Sequence, residues 1–129
     1  MKIFYRPEQV ASNTAAYSPS AFKPRLVMED WLARGLIDAL DIQSFEPVCR
    51  ADFKRVHNPP MVDDVLDLKR RNGFRNFDAE VAASLPYTSG SLLAASRWAL
   101  AHRANACSPT IRNNQPYSAC QPRGVHGGG

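Results

Sequence analysis

Apolar residues occur in short runs whose spacing switches along the chain between the alternation of a strand and the three-to-four step of a helix. Lys2 to Arg6, carrying Ile3, Phe4 and Tyr5, predicts a first strand. Gln9 to Phe22 is rich in Ser, Ala, Asn and Pro and reads as a loop with turns near Asn13 and Ser18-Pro19. Pro24 suits the first position of a helix and Gly35 its far end, with Val27, Met28, Trp31 and Leu32 on one stripe opposite Arg25, Glu29 and Arg34. Ile42 to Phe45 predicts a second strand, closed by Pro47. Ala51 to His57 reads as one or two helical turns, with Asp52 near the end where a carboxylate is favoured. Asn58-Pro59-Pro60 breaks that segment and starts another helix through Met61, Val62, Val65, Leu66 and Leu68, terminated by Asn72-Gly73. Phe74 to Ala79 reads as a second irregular loop.

The stretch the rest is organised around is Leu85 to Thr110. Ser89 or Ser91 is expected to cap a helix in which Ala94, Ala95, Ala99 and Ala101 favour helical backbone. Leu92, Leu93, Trp98 and Leu100 cover most of its circumference, so it is expected to be buried on more than one side. Asn105 to Cys107 then reads as a short core strand, and Pro109 ends any further sheet pairing. Strands alternating with helices in this order predict an α/β domain with a parallel sheet and flanking helices. In such sheets sites form beyond the carboxyl ends of the strands, the edge that the loops Gln9 to Phe22 and Asn72 to Asp78 approach.

Bulk properties narrow the chemistry. The chain has 129 residues, enough for one small domain, and a net charge of +4. Its densest basic run, Lys69, Arg70, Arg71 and Arg75, has only Phe74 and Phe77 nearby as aromatic residues and reads as a solvated face, so no specific nucleic-acid partner is expected. Asp63, Asp64 and Asp67 lie outside the third predicted helix; two share a side and the third diverges, which fits surface acids better than a metal site. Cys49, Cys107 and Cys120 are odd in number and widely spaced, so neither a disulfide framework nor a zinc knuckle is expected. His57, His102 and His126 are equally scattered and make no closed metal-ligand pattern. No apolar run is long enough for a membrane span, and the first residues lack the apolar core and cleavage site of a secretory signal, so the expectation is a cytoplasmic protein with no membrane partner.

Six pieces of the chain, in order, carry a family likeness. They are Lys2-Ile3-Phe4-Tyr5; Ser18-Pro19-Ser20-Ala21-Phe22-Lys23-Pro24-Arg25; Val56-His57-Asn58-Pro59 with Val62-Asp63-Asp64-Val65; Asn72-Gly73-Phe74; Tyr87-Thr88-Ser89-Gly90-Ser91; and Ala106-Cys107-Ser108-Pro109-Thr110. Over residues 1–110 the chain resembles the N-terminal part of the histone deacetylase-like family, in particular bacterial members related to acetylpolyamine amidohydrolases and acetoin utilisation proteins. The resemblance implies an arginase/deacetylase fold in which a zinc ion activates water to hydrolyse an acetyl-amide on lysine or a polyamine. It also implies that the segment resembling Ala106 to Thr110 runs into two adjacent histidines, with metal ligands later still.

At Ile111 this chain departs from that pattern. Ile111-Arg112-Asn113-Asn114-Gln115-Pro116-Tyr117 replaces the histidine pair, and no ligand segment follows before Gly129. The expectation is therefore a deacetylase-like part, residues 1–110, and a divergent, largely disordered tail, residues 111–129, as in a truncated or frame-altered product. No catalytic residue and no metal ligand is assigned, and no cofactor is expected in this chain, although intact relatives use zinc. The resemblance does carry over a substrate rim: Ser18, Phe22, Lys23, Pro24 and Arg25 on the entrance loop, and Asp78 near a rim loop whose acidic residue holds the substrate backbone. Asp78 also suits a helix cap. Two other readings stand beside a non-catalytic deacetylase fragment: a small interaction protein built on the half-domain, and a weak basic nucleic-acid module. A sheet lacking its later strands would also expose an edge for self-association.

Overall fold

The computed structural model describes residues 1–12, 19–103, 106, 107 and 109. The predicted tail, Asn13, Asn105 and Ser18 lie outside that set. Three strands form one parallel sheet: β1 (Lys2–Phe4), β2 (Ile42–Gln43) and β3 (Ala106–Cys107), with β1 in the middle. Ile3 pairs with Ile42 on one side and Cys107 on the other, and Phe4 pairs with Gln43. The protein is thus mixed α/β, as the alternation of strand and helix patterns predicts.

Successive side chains of a strand point to opposite faces, and β1 uses this to nucleate two separate cores. Ile3 is fully buried with Met28, Ile37 and Cys107 on the face covered by α1 (Lys23–Ala33). Phe4 is buried with Phe45 and Ala95 on the face covered by the long last helix, packed by Tyr87 and Trp98. Cys107 is disulfide-bonded, a crosslink the spacing of the cysteines does not announce.

Helix α1 has Pro24 in its first turn and ends where the sequence says it should. Gly35 sits at φ +65°, the Leu36 N–H donates to the Trp31 carbonyl at 3.0 Å, and the Gly35 N–H donates to that of Leu32 at 3.1 Å, the paired bonds of a Schellman ending. Of the predicted stripe, Met28 is buried and Val27 and Trp31 are half-buried, whereas Leu32 faces outward. Helix α2 (Arg50–Lys54) is a single turn. Asn58 then caps α3 (Pro59–Leu66), its side-chain oxygen accepting the Met61 N–H at 3.1 Å. This helix stops before Leu68, not at Asn72-Gly73, because Leu68 takes a left-handed φ of 59°.

The main correction concerns the last helix. The expected caps Ser89 and Ser91 are interior, for α4 spans Ala79–His102 and is capped by Asp78, whose Oδ1 accepts the Val81 N–H at 3.1 Å. Pro86 lies inside it, which removes one in-helix donor and costs a free helix roughly 3 kcal/mol. Tertiary contacts offset that cost. Val81, Ala82 and Ser84 are buried before the proline, and Gly90, Ser91 and Ala95 after it. The Val48 N–H donates to the Pro86 carbonyl at 3.1 Å, and the Ser91 hydroxyl donates across the core to the Phe4 carbonyl. Gly90 is required for a close approach: a Cβ there would meet Glu46 O at 2.9 Å and Phe45 Cε2 and Pro47 Cα at 3.1 Å.

We predict that Gly90→Ala lowers stability by about 1–3 kcal/mol, because backbone and an aromatic ring must give way. The midpoint of urea unfolding is the measurement; an unchanged midpoint would mean that Phe45 to Pro47 does not lie on the helix.

Candidate functional site

Because a helix between parallel strands runs antiparallel to them, the N-terminal half of α4 lies beside the carboxyl ends of the strands. After β1 the chain turns through a 3-10 turn, Pro7–Gln9, which the helix packs against. Gln9 is only 2 % exposed, and its Oε1 accepts the Arg6 N–H at 2.7 Å. The Arg6 guanidinium donates to the Phe45 carbonyl at 3.1 Å and sits 4.9 Å from the centre of the Tyr87 ring, tying β1, the segment after β2 and α4 together. The next residues are pinned as well. The Ala11 N–H donates to the Ala21 carbonyl at 3.1 Å, and the Ser12 N–H and hydroxyl both donate to Glu80 Oε2, at 3.0 and 2.7 Å.

These contacts hold open a cavity of about 370 Å³. One wall is Gln9, Ser20, Ala21 and Pro24, a second is Phe53, Met61, Val62, Val65 and Leu66 from α2 and α3, and a third is Ser84, Leu85, Thr88 and Ser89 from α4. His57 and Phe74 complete it. The lining is mostly apolar, with small hydroxyl-bearing residues on the α4 side.

Of the described rim candidates, Pro24 alone lines this cavity. Phe22 is the residue before α1, half-buried, with the Arg25 guanidinium 5.5 Å from its ring centre. Lys23 opens the helix and is half-buried. Arg25 is exposed and bonded to Glu29 at 2.7 Å. Asp78 is occupied as the cap of α4, which is the simpler of its two expected roles. Ser18 falls outside the described residues. Reading along the chain missed the residues that do line the cavity, among them Gln9, Phe53, Phe74, Ser84 and Thr88. Their apolar and hydroxyl pattern looks like ordinary core or helix surface until three elements converge.

Asp63 of α3 and Asp67, just beyond its end, are ion-paired. Arg50 donates to Asp63 at 2.9 Å and to Asp67 at 2.8 Å, and Lys54 reaches Asp63 at 2.8 Å. The hydrogen bonds from Lys54 and Arg50 hold the Asp63 carboxyl below the usual carboxylate range, and that from Arg50 does the same for Asp67. Glu80 is lowered by the two bonds it accepts from Ser12. Among the described residues no three His, Cys, Asp or Glu side chains converge as metal ligands, and no helix is long and apolar enough to cross a membrane. Lys69, Arg70, Arg71 and Arg75 are all exposed. His102 stacks on Trp98 at 4.4 Å between ring centres near the end of α4. Cys49 is exposed and free.

No family model, no curated protein and no solved structure matches the chain.

The paired acids set a pH dependence. A carboxyl whose folded pKa is depressed contributes stability that is present above its unfolded pKa and is lost as pH falls through the folded value. Because Asp63, Asp67 and Glu80 are all shifted down, thermal stability should hold to about pH 5 and fall below about pH 4, the unfolded carboxylate range. Arg50→Gln should flatten that fall, and an equal loss in both proteins would show that the cluster is solvent-screened to no effect.

Proposed function

We propose that residues 1–110 form the front part of a deacetylase-type α/β amidohydrolase fold and supply the wall and rim of its substrate cleft, with no catalytic group of their own. The substrate class on this reading is an acetylated lysine or polyamine. The observation that carries the proposal is positional. The resemblance puts the substrate entrance on the stretch Ser18 to Arg25, and Ser20 and Ala21 before α1, with Pro24 in its first turn, border the cavity on the carboxyl side of a parallel sheet.

In the family resembled, a bound zinc ion supplies the activated water for amide hydrolysis. The described residues do not fit such an ion, since no three ligating side chains converge, and no step of the reaction is assigned to them. What they offer is binding: an apolar wall, and a junction at Phe22 to Arg25 with a cation, Arg25, held by Glu29 at its outer face. The sequence from Ile111 onward carries no adjacent histidines, the pair that serves as base and electrostatic partner in the family resembled.

The reading predicts binding without turnover. Titrating the 129-residue protein with an acetyl-lysine peptide or N-acetylputrescine should move the amide resonances of Phe22, Lys23 and Arg25 saturably, while no acetate appears with or without added zinc. Acetate release would overturn the non-catalytic assignment, and shifts that avoid these residues would overturn the rim.

A second reading, association between copies, is favoured by the sheet itself. In the described three-strand sheet β2 and β3 each have one unpaired edge, and Leu40 and Leu100 stand 83 % and 80 % exposed. Sedimentation should then show association that increases with concentration; a single monomeric species at all concentrations would exclude it.

A further inference from the structure

The cavity, whose wall the hydrolase reading assigns to a substrate cleft, has a chemical character that this reading does not specify. We infer that it is a binding site for a small neutral amphiphile, an aliphatic molecule carrying one hydrogen-bond donor such as an alcohol or a primary amide. The inference does not rest on amide hydrolysis, and it concerns the enclosed walls of α2, α3 and α4, not the Phe22 to Arg25 rim.

Size comes first. A volume of about 370 Å³ lies at the lower end of the range for small-molecule sites, about 300–1,000 Å³, and equals roughly a dozen waters at ~30 Å³ each. Water filling such a space would face Phe53, Met61, Val62, Val65, Leu66 and Phe74, none of which offers it a strong hydrogen bond. An apolar occupant releases that water.

Charge decides the class. Among the described residues no Asp, Glu, Lys or Arg lines the cavity, and His57 is the one ionisable side chain there. Arg50, Lys54, Asp63 and Asp67 are spent on one another outside the lining. An ion entering the cavity would give up part of its hydration with no counter-charge among the described lining residues to meet it. Neutral ligands escape that cost.

Polar side chains stand on two walls, Gln9 and Ser20 on one and Ser84, Thr88 and Ser89 on α4, and among them Ser84 has a defined sense. Ser84 is only 6 % exposed, and its hydroxyl hydrogen is committed to the Val81 carbonyl at 2.8 Å. What Ser84 presents to an occupant is therefore an oxygen lone pair, an acceptor. A donor on the ligand satisfies it, which favours an alcohol or primary amide over a hydrocarbon.

The test is chemical-shift titration of the whole 129-residue protein with 1-octanol, using octanoate and octane-saturated buffer as comparisons. Octanol should bind saturably, moving the amides of Met61, Val65, Leu85 and Thr88, and octanoate should bind at least ~10-fold more weakly, as expected for an uncompensated charge. Ser84→Ala should weaken octanol about 5-fold or more while leaving the octane response unchanged, as for loss of one buried hydrogen bond. Val65→Trp should abolish binding by filling the space; should that variant not fold, Ser89→Leu fills it from the opposite wall. Absence of saturable shifts with octanol, equal binding of octanoate, or undiminished binding in the filled variants would each overturn the inference. The rim test with acetylated ligands reads different residues, so either result stands without the other.

Discussion

The structure depends on how closely one helix can lie against one strand. Helix α4 touches the sheet through its smallest residues: Gly90 has no side chain to push Phe45, Glu46 and Pro47 away, and Ser91 donates to the Phe4 carbonyl across the core. Small residues at the contact allow the helix to cover β1 and β3 together, so Phe4, Phe45 and Ala95 close into a core with Tyr87 and Trp98 around it. Three strands of two or three residues are too short to hold a sheet by backbone bonds alone, and packing from both faces supplies what the ladders lack.

The same docking sets the position of the cavity. Once Gly90 and Ser91 are fixed on the sheet, the preceding turns of α4 extend past the carboxyl ends of the strands, and Ser84, Leu85 and Thr88 face the loop after β1 and the helices α2 and α3. The Glu80 bonds to Ser12 and the Arg6 contact with Tyr87 hold that half of the helix to the loop. None of the described lining residues is Asp, Glu, Lys or Arg, and Arg50, Lys54, Asp63 and Asp67 pair with one another outside the lining. Packing, then, dictates both the shape of the candidate site and its lack of charge.

Much of this was legible along the chain. The apolar run Ile3 to Tyr5 marked β1, Ile42 to Phe45 before Pro47 marked β2, and Pro24 with Gly35 marked the ends of α1, because each signal is local. The start of α4 was illegible for the same reason inverted. Pro86 and Gly90 are breakers in isolation, and the contacts that keep the helix intact come from Val48, Phe45 and Phe4, each at least 38 positions away in sequence. Asp78, read both as rim and as cap, is a cap, since a carboxylate one residue before a helix finds an unpaired N–H at once. The cavity went unseen because its lining is drawn from stretches spread between Gln9 and Ser89 whose apolar residues individually look like core. The proposed deacetylase reading would put an entrance near Pro24, and it names none of the α3 and α4 residues that surround the space.

Amide hydrogen exchange across α4 tests the central claim most directly. If the helix is one body from Ala79 to His102, fixed at Gly90 and Ser91, amides on both sides of Pro86, such as those of Ser84 and Ala95, should exchange with the same protection and lose it together when Ser91 is changed to Ala. Protection confined to residues after Ser91, with Val81 to Leu85 exchanging as an open chain, would contradict it.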